Sequence, residues 1–121
     1  MILTNNILIK DNHINQWVDG DQGDVLYSAR DLVHKGHKLI TSPLAASGRM
    51  YYSPVRTIVL TDDPGDIDLD SVNAVESAII KYTTALGKHT VDYRNLVDYQ
   101  IIDNELLTEA LKEIERLGIK L

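Results

Sequence analysis

The sequence predicts an α/β fold: a single three-layer, Rossmann-like domain over residues 1–121, with a mainly parallel sheet of four or five strands flanked by helices. Three observations carry this expectation. Short apolar runs alternate with amphipathic stretches along the chain. Several runs end in small polar residues, as in Leu3-Thr4-Asn5-Asn6, Ile40-Thr41-Ser42 and Leu60-Thr61-Asp62-Asp63. The length of 121 residues suits one core, so a single domain is expected.

In chain order, the first strand is Ile2 to Thr4 and the second Ile14 to Val18. The nine residues from Asn5 to His13 fall just short of the ~10–12 that a parallel crossover needs, so an antiparallel arrangement of this pair stays open. Asp24 then caps a helix whose stripe is Val25, Leu26, Ala29, Leu32 and Val33, with Tyr27, Arg30, Asp31 and His34 on the opposite face. Gly36 ends it. A third strand runs from Lys38 to Thr41, and a fourth from Val55 to Thr61, closed by the turn Asp62-Asp63-Pro64-Gly65. The next helix takes Asp68 or Asp70 as N-cap, turns Val72, Val75, Ile79 and Leu86 inward and stops at Gly87. A fifth strand over Tyr99 to Ile102 leads to a final helix capped by Asp103 or Asn104. That helix packs through Leu107, Ala110, Leu111, Ile114 and Leu117 and closes at Gly118.

Composition removes whole classes of chemistry. A formal net charge of −6 argues against general nucleic-acid binding, which draws its affinity from Lys and Arg on phosphates. With no cysteine, the chain forms no disulfide and supplies neither a thiol nucleophile nor a thiolate metal ligand. The start, Met1-Ile2-Leu3-Thr4, lacks a signal-type basic and apolar run, and no apolar stretch reaches membrane-spanning length, so the expectation is a cytoplasmic protein with no membrane partner. Neither a dinucleotide-binding glycine fingerprint, a phosphate-binding P-loop nor a Gly-x-Ser-x-Gly elbow occurs.

If the strands are parallel, Thr4-Asn5-Asn6, Thr41-Ser42 and Thr61-Asp62-Asp63 share the carboxyl edge of the sheet, where open α/β sheets place ligands. The segment Pro43 to Pro54 is twelve residues long, against a usual ~4–6, and its length needs a reason. Ser47-Gly48-Arg49, followed by Arg56, offers backbone N–H groups, a hydroxyl and guanidinium forks for an anion. The plainer reading packs the loop through Met50, Tyr51 and Tyr52, at the sheet edge or at a dimer contact. His34 and His37 flank a helix-ending glycine and lack a third fixed ligand, so no metal is expected. Asp31 either pairs with Arg30 in solvent or orients His34. Asp62 and Asp63 suit a turn better than a magnesium or ribose site. The sharpest expectation places Arg30, Ser47 and Arg56, supported by His34, in one anion site.

Taken in order, Leu3-Thr4-Asn5-Asn6, Val25-Leu26, Arg30-Asp31-x-x-His34-x-Gly36-His37-x-Leu39, Thr41-x-Pro43-Leu44, Ser47 and Pro54-x-Arg56 resemble the GrdX family. Arg30, Asp31, His34, Gly36, His37, Pro43, Ser47 and Arg56 match as motif positions. Ser42 and Arg49-Met50-Tyr51 depart from the histidine and the Lys-Pro-Asn-like run of that pattern. The resemblance implies an accessory protein of the glycine, sarcosine and betaine reductase systems of amino-acid-fermenting anaerobes. Such a protein would bind a small anionic metabolite or a glycine reductase component, without a cofactor, and could form a homodimer. Its ligand-binding residues would be drawn from Arg30, Asp31, His34, His37, Ser47, Arg49 and Arg56. The rival is a small hydrolase or transferase, with His34 as general base, Asp31 orienting it and Arg30, Arg49 and Arg56 binding substrate charge.

Overall fold

The computed structural model describes residues 1–9, 15–45, 47–87 and 89–119. Three short strands form its sheet: β1 (Ile2–Thr4), β2 (Asn15–Trp17) and β3 (Thr57–Val59), in the order β2-β1-β3. β1 lies parallel to β2, with Leu3 opposite Gln16, and antiparallel to β3, with Thr4 opposite Thr57. This small mixed sheet replaces the predicted Rossmann-like arrangement of four or five mainly parallel strands. Ile14, which the sequence puts in β2, lies outside the described residues, as do residues 10–13 of the connection before it.

Two predicted strands are absent for separate physical reasons. Lys38 to Thr41 touches the sheet through one antiparallel bridge, Leu39 to Leu60. The N–H groups of Ile40 and Thr41 both donate to the Val59 carbonyl, at 2.8 and 3.2 Å, while Val59 N–H donates to the Thr41 hydroxyl at 3.0 Å. A side chain thus takes the place of a backbone partner, and the ladder cannot extend. Tyr99 to Ile102 lies inside a long helix instead. A four-residue apolar run has no length to separate strand from helix, and Tyr99, Asp103 and Leu107 at successive spacings of four continue the helical stripe.

The first helix, α1 (Gln22–His34), starts at Asp21 rather than at Asp24. The two aspartates form a reciprocal capping box, in which the Asp21 carboxylate accepts from Asp24 N at 3.3 Å and the Asp24 carboxylate accepts from Asp21 N at 2.9 Å; Asp21 also accepts from Gly23 N at 2.9 Å. α2 (Leu69–Leu86) is capped by Asp68, whose carboxylate takes the N–H of Ser71 at 3.0 Å and its hydroxyl at 2.6 Å. A 3-10 turn, Tyr93–Asn95, leads into α3 (Leu96–Arg116), which therefore begins well before the predicted caps at Asp103 and Asn104.

Strand alternation sorts the core between the two faces of the sheet. Leu3, Ile58 and Leu60 meet Val25, Leu26, Ala29 and Val33 of α1 and Val75, Ala78 and Tyr82 of α2. On the other face, Ile2 and Val59 meet Leu107 and Ile114 of α3. Full burial of each large aliphatic side chain stabilises the fold by about 1.5–3 kcal/mol. Leu117, expected to pack inward, is 57% exposed because the helix ends at Arg116.

The antiparallel course of β3 decides where polar groups meet. The carboxyl end of β1, Thr4-Asn5-Asn6, faces the start of β3, Arg56-Thr57, whereas Thr61-Asp62-Asp63 sits at the opposite end of the sheet. The three polar strand ends therefore do not share one edge.

Candidate functional site

Backbone groups at the end of a three-residue strand have few ladder partners, and side chains take over their pairing here. Asn5 donates to the carbonyls of Gly20 and Pro54, each at 2.9 Å, and accepts from Arg56 N–H at 2.9 Å. Asn6 is fully buried and reaches across to α3, donating to the Gln100 carbonyl at 2.9 Å and to Asp103 Oδ2 at 3.0 Å. Thr57 Oγ1 lies 2.6 Å from Asp103 Oδ2 and 2.8 Å from Thr4 Oγ1. An ionised carboxylate only accepts, so the Thr57 hydrogen points to Asp103 and the Thr4 hydrogen to Thr57. Thr4 Oγ1 in turn accepts from Asn6 N–H at 3.0 Å, which completes a chain of fixed polarity ending on a buried acid.

Arg56 stands beside this chain, at a crevice of about 290 Å³ between the 41–45 segment and α3. Its polar wall is Thr41, Ser42, Arg56, Thr57 and Asp103, and its apolar wall includes Leu106, Leu107 and Ala110. The Arg56 residue is only 7% exposed and Asp103 only 3%. Arg56 Nη2 donates to the carbonyls of Ser42 and Leu44, at 3.0 and 2.5 Å, and this fixes the plane of the guanidinium. Its Nε is buried and finds no hydrogen-bond partner among the described residues. Burial pulls the Arg56 pKa below its ordinary value, while the negative charge of Asp103 pushes it back up. The two charges nevertheless do not form a direct ion pair among the described residues.

The seven residues singled out in the sequence are spread over separate neighbourhoods. Arg30 stacks on Tyr27 along α1, with its guanidinium 5.1 Å from the ring centroid. Asp31 lies on a shallow groove with Trp17, Ser28 and Lys35. The exposed His34 faces Glu76 of α2 at 3.5 Å. His37 is buried at the start of the 37–41 segment, with Nδ1 2.8 Å from the Thr61 carbonyl, a contact that holds that segment beside the end of β3. Ser47 and Arg49 are exposed, Arg49 within a 3-10 turn, Gly48–Tyr52, and Ser47 immediately before it. Only Arg56 reaches the crevice, on the α3 side of the sheet, so Arg30, Ser47 and Arg56 do not converge. Among the described residues no three His, Asp or Glu side chains gather to hold a metal ion.

The described residues of the 43–54 segment are held by packing and by two buried amides, Asn5 at Pro54 and Gln22. Met50 packs with Val55 and Tyr99, and Gln22 Nε2 donates to the carbonyls of Met50 and Ser53 at 3.0 and 2.9 Å. Its exposed side, with Ser47 and Arg49, forms a second groove of about 530 Å³ against Tyr99, Ile101, Ile102 and Leu106 of α3. Leu106 separates the two depressions and lines both.

The sequence assigns Asp103 to a helix cap, but the structure makes it the acid of the crevice. The signal lies in the spacing, because Asp103 falls four residues before Leu107 on the inward stripe of α3, where a carboxylate needs partners. Asn5 and Asn6 carry a comparable signal as adjacent amides immediately after an apolar strand. No described helix is long and apolar enough to cross a membrane. The family described as GrdX-like protein matches residues 1–112 of the chain. No curated protein and no solved structure matches it.

Proposed function

Because the chain belongs to the GrdX-like family, we propose that it is a non-catalytic accessory protein of a glycine-reductase-type fermentation system, binding a small anionic metabolite at Arg56. The observation that supports this reading is the buried Arg56 guanidinium, fixed by two carbonyls and left with an unpartnered Nε beside a crevice. A buried cation without a paired anion is costly, and an incoming carboxylate or phosphate would offset that cost through charge-assisted hydrogen bonds. The crevice lies at the lower end of the ~300–1,000 Å³ range typical of ligand sites, which favours a ligand of a few heavy atoms over a nucleotide. The absence of cysteine removes thiol transfer by this chain itself.

Titration calorimetry with acetate, phosphate and acetyl phosphate is the test. Arg56→Met should weaken the tightest of these by about 1–3 kcal/mol, the scale of hydrogen bonds to charged groups. Absence of binding by the wild type at 20 millimolar of each anion would end the reading. A partner-docking reading has one observation of its own, the exposed Val97, Ile101, Ile102 and Leu106 along α3. Those residues give a reductase component an apolar surface to cover.

A further inference from the structure

We propose that the Arg56 crevice selects a small zwitterion, an amino acid whose carboxylate meets Arg56 and whose ammonium group meets Asp103. This inference rests on the anion reading above and adds the second charge to it.

Two opposite charges share one small crevice, both almost wholly buried, without an ion pair between them. Burying opposite charges is ordinarily compensated by direct contact in good geometry. Here each charge is anchored by other groups and held in place. Arg56 is tied to Ser42 and Leu44, while Asp103 is tied to Asn6 and Thr57. Both bonds to Asp103 among the described residues use Oδ2, and Oδ1 is the oxygen offered to a ligand. Both described bonds from Arg56 use Nη2, and a guanidinium carries five N–H donors, so the remaining edge retains donors for a carboxylate. A ligand carrying both charges at short separation satisfies the two residues together.

The rest of the wall limits the ligand's body. Leu106, Leu107 and Ala110 present carbon, which suits an aliphatic portion and offers no partner to a further charged group. An anion with a second negative charge would sit against Asp103, so the crevice disfavours dicarboxylates and favours net-neutral amino acids.

The experiment is calorimetry on the full chain with a panel of neutral aliphatic amino acids, set against propionate and propylammonium, which each carry one of the two charges. The expected result is at least tenfold tighter binding of one amino acid than of either single-charge compound. Asp103→Asn should bring that amino acid to within about threefold of propionate while leaving propionate binding in place. Propionate binding as tightly as every amino acid would overturn the zwitterion inference and leave the anion reading standing. Failure of propionate, acetate, phosphate and all amino acids to bind would remove both. The wild-type comparison decides the matter even if Asp103→Asn does not fold.

Discussion

Replacing Gly36 by alanine places a methyl group where the structure has no room, and both consequences of that change act in one direction. Gly36 follows the end of α1 with φ +105°, outside the region that L side chains readily adopt. A Cβ built there would lie 2.0 Å from the Gly65 carbonyl oxygen, and the two backbones are already joined by a Gly65 N–H to Gly36 carbonyl bond of 2.9 Å. Left-handed backbone costs a non-glycine residue about 1–2 kcal/mol, and overpacking against unyielding structure about 1–3 kcal/mol. The loss should therefore be about 2–5 kcal/mol, a large part of the ~5–15 kcal/mol stability of a typical domain. Two alanine variants separate the contributions. Gly118 has φ +70° but open space around its would-be Cβ, so Gly118→Ala should show the backbone cost alone, while Gly48, with open space and no such φ, should change stability by about 0.5 kcal/mol or less. Urea unfolding monitored by circular dichroism gives all three values from midpoints at constant slope. If Gly36→Ala unfolds at the same urea concentration as Gly118→Ala, the close approach of residues 36 and 65 is not a structural constraint.

Three further outcomes can be measured on the same protein. Burial pushes the Tyr82 phenol up to about 12, so its contribution to stability is present below the unfolded value of about 10 and lost as pH rises through 12. Ultraviolet titration should show an ionisation step at about pH 12, and Tyr82→Phe should remove that step; its persistence would refute the assignment. The Asp68 carboxyl is held below the usual carboxylate range by its hydrogen bond from Ser71, so its contribution is present above about pH 4 and lost as pH falls through the folded value. Ser71→Ala should make acid unfolding begin at higher pH, and an unchanged acid midpoint would count against this cap. Leu107→Ala, in the cluster with Ile2, Val59 and Ile114, should cost about 2–5 kcal/mol, and a thermal midpoint equal to wild type would contradict burial of α3 on the sheet.

The helices were largely legible because their stripes and caps are local. Val25, Leu26, Ala29 and Val33, or Leu107 and Ile114, repeat at helical spacing, and Asp68 precedes its helix by one residue. The sheet was not legible to the same extent. Whether Lys38 to Thr41 becomes a strand depends on Thr41 Oγ1 reaching Val59, a contact set by tertiary placement that no propensity encodes. The direction of β3 against β1 is also a long-range outcome, and it decided which polar strand ends met. Arg56 was visible as a charge opening an apolar run. Its partner Asp103, forty-seven residues further on, was hidden by a familiar helix-start pattern that happened to lie in mid-helix.

The chain of hydroxyls and amides at the end of β1 also bears on the order in which the protein is made. Asn6 and Asp103 are separated by 97 residues, and Thr57 and Asp103 by 46. During synthesis the arginine side of the crevice emerges well before its acid side, and Arg56 waits without Asp103 until α3 has left the ribosome and docked. The crevice thus needs the chain at least as far as α3, and is completed by contacts between distant parts of the sequence. A ligand that bridges Arg56 and Asp103 would bind only the finished molecule, and its binding energy would protect the chain against global unfolding instead of stiffening one segment.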